Sequence, residues 1–296
     1  GEDINFSIDT VAASLLGTFV TTSPVLAPNG VNNTAYASTN NGVDGDDVTI
    51  VGNGNTRTVT IETSDTAKAT ATKINAVAGA TTVFAQARTA ALLRSSSSTD
   101  LSYTVKINNV ETAAFTLSSA GVTDAVTKIN AITASTGVMA AATTDGKVLL
   151  SDSNGDDITI ENTSTQTTLF VAAVENDGKT TAAAGGEDNL LASGGTDLTT
   201  ISGTIRLTST EGFTVTQATA IGAGASFFTD GEVAASLSSV SSIAVTDTIG
   251  ASDALAVIDG ALDTVSAMRG SLGTLQNRLD YAVSNLMKVT EYTIGS

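Results

Sequence analysis

The residues with the most chemical reach in this sequence are acidic and clustered in turns. Asp152-Ser153-Asn154-Gly155-Asp156-Asp157 sets side-chain oxygens at alternate positions, as the opening of a calcium loop does. The pattern stops there. The sixth position is Asp157 where such a loop turns on glycine, and the twelfth is Thr163 where it closes on glutamate. Asp44-Gly45-Asp46-Asp47 is a similar acidic turn. Neighbouring aspartates at exposed turns are expected to be solvated, without the cleft that raises one carboxyl of an acid–base pair. The sequence has neither His nor Cys, which excludes disulfides, thiolate metal sites, most zinc sites and histidine-based catalysis. It carries no phosphate loop with its lysine and no Gly-x-Ser-x-Gly elbow. No catalytic residue, metal ligand or cofactor is therefore assigned, and an enzyme is not expected.

The elements that carry these turns follow from composition and periodicity. A net charge of −17 repels phosphate backbones and anionic membrane surfaces, so neither nucleic acid nor membrane is expected as a partner. No apolar run approaches the ~18 residues of a membrane span, and no signal peptide is expected. Ala, Thr, Ser, Val and Gly dominate, with aromatics at 4%. That balance fits many short strands linked by Gly, Asn and Asp turns. Ile4, Phe6 and Ile8 alternate as a strand, Val11 to Leu16 reads as strand or helical turn, and Pro24 to Asn33 reads as a linker. The acid- and Gly-rich stretch 175–200 reads as loop, and Ile205/Leu207 with Phe213/Val215 as a hairpin turning at Glu211-Gly212.

From Ser252 to Val289 the pattern changes. Ala254, Ile258, Ala261, Val265, Met268, Leu272, Leu275, Leu279, Ala282, Leu286 and Val289 are spaced 4, 3, 4, 3 without interruption, and all are apolar. A period of about 3.5 residues is that of a coiled-coil helix, here roughly 57 Å long. Ser252 is the expected N-cap. Nothing else in the chain has helical periodicity of that length, so the partner helices are expected to come from outside it.

The middle contains a repeat. Thr72-Lys73-Ile74-Asn75-Ala76 returns as Thr127-Lys128-Ile129-Asn130-Ala131, 55 residues on. At the same offset Val83 falls on Val138 and Leu93 on Val148, and the strands at Asp46–Ile50, Leu101–Val105 and Asp156–Ile160 coincide. Each unit reads as two strands, a short helix ending in Lys-Ile-Asn-Ala, then further strand. Asp65 and Thr123 are the expected helix caps.

Ala254 to Leu262, Met268-Arg269 and Leu272-Gly273-Thr274-Leu275-Gln276-Asn277-Arg278-Leu279 resemble the C-terminal rod helix of bacterial flagellins. Val240 to Ile243 and Gly1 to Ile8 resemble the strands that flank the rod helices in that family, and the 46–165 repeat resembles the flagellin IN motif. Leu279 departs from an aromatic residue common there. The family's N-terminal helices and final C-terminal helix have no counterpart, so the sequence reads as a trimmed, monomeric portion. The resemblance implies an α+β fold: a long coiled-coil-like C-terminal helix in a discontinuous rod domain, residues 1–25 and 235–296. Inserted β-rich outer domains would be made of repeats, at 26–98 and 99–180, with a β-rich return segment at 181–234. It implies a structural subunit of the flagellar filament, exported through the flagellar apparatus and used for swimming, packed against other flagellin subunits. Leu272, Gln276 and Arg278 would be contacts for neighbouring subunits or for the flagellin-sensing Toll-like receptor. Ile258, Val265, Met268, Leu272, Leu275, Leu279 and Leu286 would form the helix seam, and outer Ser and Thr would be candidate O-glycan sites. The alternative is a flagellin-like or hook-associated adhesin whose repeats bind a glycan or host surface.

Overall fold

The computed structural model describes residues 12–31, 41–174, 186–192, 196–217, 226–228, 231–245 and 248–294. The strand expected over Gly1 to Ile8 lies outside them. Leu15 and Leu16 donate back to the Ala12 carbonyl, so this stretch is a helical turn. It leads into β1 (Gly17–Thr22) and β2 (Asn29–Val31). A strand thus replaces part of the expected linker, because Asn29–Val31 pairs with a strand far along the chain.

The first half of the body is the hairpin β3 (Val48–Gly52) and β4 (Asn55–Val59), helix α1 (Ala67–Ala76), the single turn α2 (Ala78–Thr81) and strand β5 (Phe84–Ser95). The second half is β6 (Leu101–Tyr103), β7 (Val105–Ile107), β8 (Val110–Glu111), β9 (Phe115–Leu117), α3 (Thr123–Asn130), α4 (Thr133–Thr136), β10 (Met139–Ala142) and β11 (Val148–Asp152). After these come β12 (Ile158–Asn162), β13 (Leu169–Ala173), β14 (Glu187–Leu190), β15 (Leu198–Ile201), β16 (Thr204–Ser209), β17 (Thr214–Gln217), β18 (Val233–Ala234) and β19 (Ser236–Ser239). A 3-10 turn at Val240–Ser242 leads to helix α5 (Thr248–Ile294).

The two halves repeat one set of backbone contacts 55 residues apart. Asn75 Nδ2 donates to the Ala85 carbonyl at 2.9 Å and its Oδ1 accepts from the Ala85 amide at 2.8 Å. Asn130 makes the same pair with Ala140, at 2.9 and 2.8 Å. Each asparagine fastens the end of a helix to the strand that follows. The Thr81 and Thr136 hydroxyls both bond four residues back, to Val77 and Ile132. The hairpin turns correspond too. Asn53-Gly54 and Asn108-Asn109 hold positive φ at both central positions, the type I′ geometry that matches strand twist.

The cap of helix α1 lies one residue later than expected. Thr66 is the N-cap, its hydroxyl accepting from the Ala69 amide at 3.1 Å, while Asp65 instead takes the Glu62 amide and Lys73. Thr123 is the first residue of α3, and the cap position is Val122, without a side-chain bond. The expected hairpin at Glu211-Gly212 does not form. β16 runs between β5 and β1, whereas β17 runs between β3 and β18 in another sheet. The stretch expected as loop contains β14, paired with β13, and the start of β15.

Two large apolar cores result. One gathers Val48, Ile50, Ile74, Val83, Leu207 and Phe227; the other Tyr103, Val105, Phe115, Ile129, Leu150 and Ile160. β5 connects them. Its first residues pair with β16, its later ones with β11 and β13, and it gives Ala87 to one core and Leu93 to the other. No helix of the described residues is long and apolar enough to cross a membrane.

Candidate functional site

Helix α5 is 47 residues long, which is about 70 Å at ~1.5 Å per residue. Among the described residues only its base is fastened to the body. Ala254, Val257 and Ala261 are buried there. Small side chains let the helix axis come close to β1. A Cβ on Gly260 would strike the Thr18 hydroxyl and lie 3.2 Å from the Gly17 carbonyl. Thr18 Oγ1 donates to the Ala256 carbonyl at 3.0 Å, drawing one helix carbonyl into the contact.

Charge fixes the same end. Asp253 Oδ1 lies 3.2 Å from Nη1 of both Arg88 on β5 and Arg206 on β16, and Arg88 Nη2 donates to Ser252 Oγ at 2.9 Å. The two arginines belong to adjacent antiparallel strands, so one carboxylate bridges the sheet to the helix. Burial pushes the Arg206 guanidinium below its ordinary range, Asp253 opposes that, and Arg88 adds to it. Ser252, expected as the helix cap, lies inside a helix that begins at Thr248, and serves this junction instead.

Of the expected stripe, Ala254 and Ala261 are buried against the body, and the remaining positions are half-buried or exposed. Ile258 is 41% exposed, because the contact with the sheet runs through Val257, its neighbour around the helix. Val265, Met268 and Leu275 are half-buried; Leu272, Leu279 and Leu286 are exposed. Gln276 and Arg278 are exposed as well. From residue 269 onward every described position is exposed except Leu275 and Ala282, which are half-buried. Leu272, Leu279, Val283, Leu286, Val289 and Ile294 thus present an apolar face along the outer half of the helix. A run of that size on one helix is a surface suited to packing against other helices.

The acidic turn is not the solvated one expected. Asp152 is 2% exposed, and its Oδ1 accepts from the amides of Asn154 at 2.7 Å and Gly155 at 3.1 Å. Asp156 pairs with Lys68 at 2.6 Å, and Asp157 Oδ2 accepts from Asn41 Nδ2 at 2.9 Å. With their oxygens turned to separate partners, these carboxylates build a turn. Among the described residues no group of three or more His, Cys, Asp or Glu is placed to hold a metal. The companion turn is likewise bonded inward, with Gln217 Nε2 and Ser226 Oγ donating to Asp46. Asp157 is the residue that sequence reasoning missed. Burial raises its carboxyl to about 7, Asn41 partly offsets this, and Asp156 adds to it.

No family model matches the chain. Among curated proteins it is 32% identical over 187 residues to the B-type flagellin of Pseudomonas aeruginosa, a match covering 60% of this chain and 36% of that protein. It is 50% identical over 52 residues to polar flagellin A of Vibrio parahaemolyticus and 48% identical over 52 residues to flagellin B of Vibrio anguillarum. Each of these covers 18% of this chain and 14% of the relative, so the chain spans about a third or less of the curated proteins it matches. The chain is homologous to flagellins over those segments.

Proposed function

We propose that this chain is the rod-forming helix and outer region of a flagellin, a structural subunit of the bacterial flagellar filament that serves swimming motility outside the cell. The observation that carries this reading is the apolar outer half of α5, exposed on a helix that the described residues anchor at its base. Such a face is stable in water only at a cost, and other flagellin helices laid along it would remove it from water. The homology to named flagellins supports the same assignment.

On this reading residues 1–25 and 235–296 belong to a rod domain and the β-rich body faces outward. The body consists of two copies of one IN-type unit, at 26–98 and 99–180, followed by the return segment 181–234. The matched asparagine fasteners and type I′ turns support the duplication. Leu272, Gln276 and Arg278 contact neighbouring subunits, and where the flagellin-sensing Toll-like receptor engages this protein it uses the same surface. Hydroxyl-rich outer strands are the sites for O-glycans, and the chain by itself is monomeric. No catalytic step is assigned.

The test is assembly. The gene carrying this chain, placed in a strain lacking its own flagellin, should restore filaments by electron microscopy and spreading in soft agar. Leu275→Lys with Leu279→Lys should leave folded subunit in the medium without filaments. Normal filaments from the double variant would overturn the assignment of the face.

A further inference from the structure

Asp157 and Asn41 are joined across 116 residues of chain at a point where three segments meet. Asn41 is 1% exposed, and both ends of its side-chain amide and its carbonyl are hydrogen-bonded there. Its Nδ2 donates to the Asp65 carbonyl at 3.0 Å and to Asp157 Oδ2 at 2.9 Å; its Oδ1 accepts from the Val43 amide at 3.0 Å. Its carbonyl accepts from Ser202 Oγ at 3.0 Å. The loop before β12 is pinned from the other side, by the Lys68 amide on the Gly155 carbonyl at 3.0 Å and by Thr89 Oγ1 on the Asp156 carbonyl at 2.7 Å. Within this junction Asp157 Oδ1 is buried and has no hydrogen-bond partner.

The surrounding charges are committed elsewhere. On α1 Lys68 pairs with Asp156 and Lys73 with Asp65, and on β5 Arg88 faces Asp253. Asp152 and Asp156 on its own loop are both acidic, as are Asp44, Asp46 and Asp47 on the segment following Asn41. Among the described residues no cation pairs with Asp157. An ionised carboxylate with one oxygen buried and bare is strongly disfavoured, whereas the neutral acid leaves one uncharged polar group unmet, at much lower cost, and still accepts from Asn41 through Oδ2. We infer that Asp157 and Asn41 form a proton-operated clasp: with the carboxyl protonated the junction of residues 41–43, 64–65 and 155–157 is closed, and loss of the proton loosens it. The device is independent of the filament reading.

The raised carboxyl, at about 7 against 3.8, sets the window. Between roughly pH 4 and pH 7 the closed form holds a proton that an opened, hydrated Asp157 releases. Opening therefore becomes easier as pH rises, by up to ~10-fold per unit, and levels off above the folded value. The sign is opposite to that of a carboxylate stabilised by a salt bridge.

Two measurements on the full chain decide it. Titrating the Asp157 carboxyl carbon by NMR should give a midpoint near neutrality; a midpoint near 4 overturns the proposal. Hydrogen exchange of the Val43 amide, corrected for its intrinsic rate, should give an opening constant that climbs steeply from pH 5 to pH 7 and is flat in Asp157→Asn. The same slope in both proteins overturns it. Should Asp157→Asn fail to fold, the wild-type carboxyl titration decides alone.

Discussion

The two halves of α5 are one continuous helix with opposite relations to the rest of the molecule. Its base is held by close approach and by charge: Gly260 against Thr18, Val257 buried, and Asp253 between two arginines. Its outer half keeps the heptad spacing but contributes no buried residue. The apolar character is similar in both; what differs is the availability of a partner surface. Periodicity therefore records what a face is able to pack against, while small residues and a buried ion pair record what it already packs against.

Substitutions at the two ends sharpen this contrast. Gly260→Val should cost most, about 3 kcal/mol in urea unfolding, since the added atoms meet both the Thr18 side chain and the Gly17 backbone. Asp253→Ala should cost about 2 kcal/mol by leaving Arg88 and Arg206 together without their counter-charge, discounted because Asp253 is itself 31% exposed. Val257→Ala should remove roughly 1 to 2 kcal/mol of packing. Leu279→Ala should change unfolding of the lone chain by less than about 0.5 kcal/mol, because its side chain is already half in water. In assembled filaments the order should invert at that position, with Leu279→Ala lowering the melting temperature of the filament. Equal effects of Val257→Ala and Leu279→Ala on the lone chain would break the comparison.

Part of this architecture was legible. The 55-residue offset picked out the asparagines that fasten helix to strand, because a local motif carries its own contacts: Asn75 and Ala85 are only ten residues apart. Pairing partners were not legible. Ile205/Leu207 and Phe213/Val215 alternate as hairpin strands do, yet their neighbours are β5 and β3, more than a hundred residues upstream. Strand pairing is chosen by which buried faces must meet, and alternation alone does not name the neighbour. The acidic turn failed for the same reason. Asp157 looked solvated because the residue that buries it, Asn41, lies far away in sequence and carries no charge to signal the contact. In α5 the heptad spacing included Ala254 and Ala261, which are buried at the base, but did not single out Val257 or Gly260, where the helix comes close to β1.

The central claim is that the outer half of α5 is built to be covered by companion helices. Hydrogen–deuterium exchange over residues 265–294 tests it directly, in the lone chain and in filaments containing it. We expect amides there to exchange rapidly in the lone chain and at least ~100-fold more slowly in the filament, with the base at 254–261 protected in both. Equal exchange of 265–294 in the two states would contradict the claim.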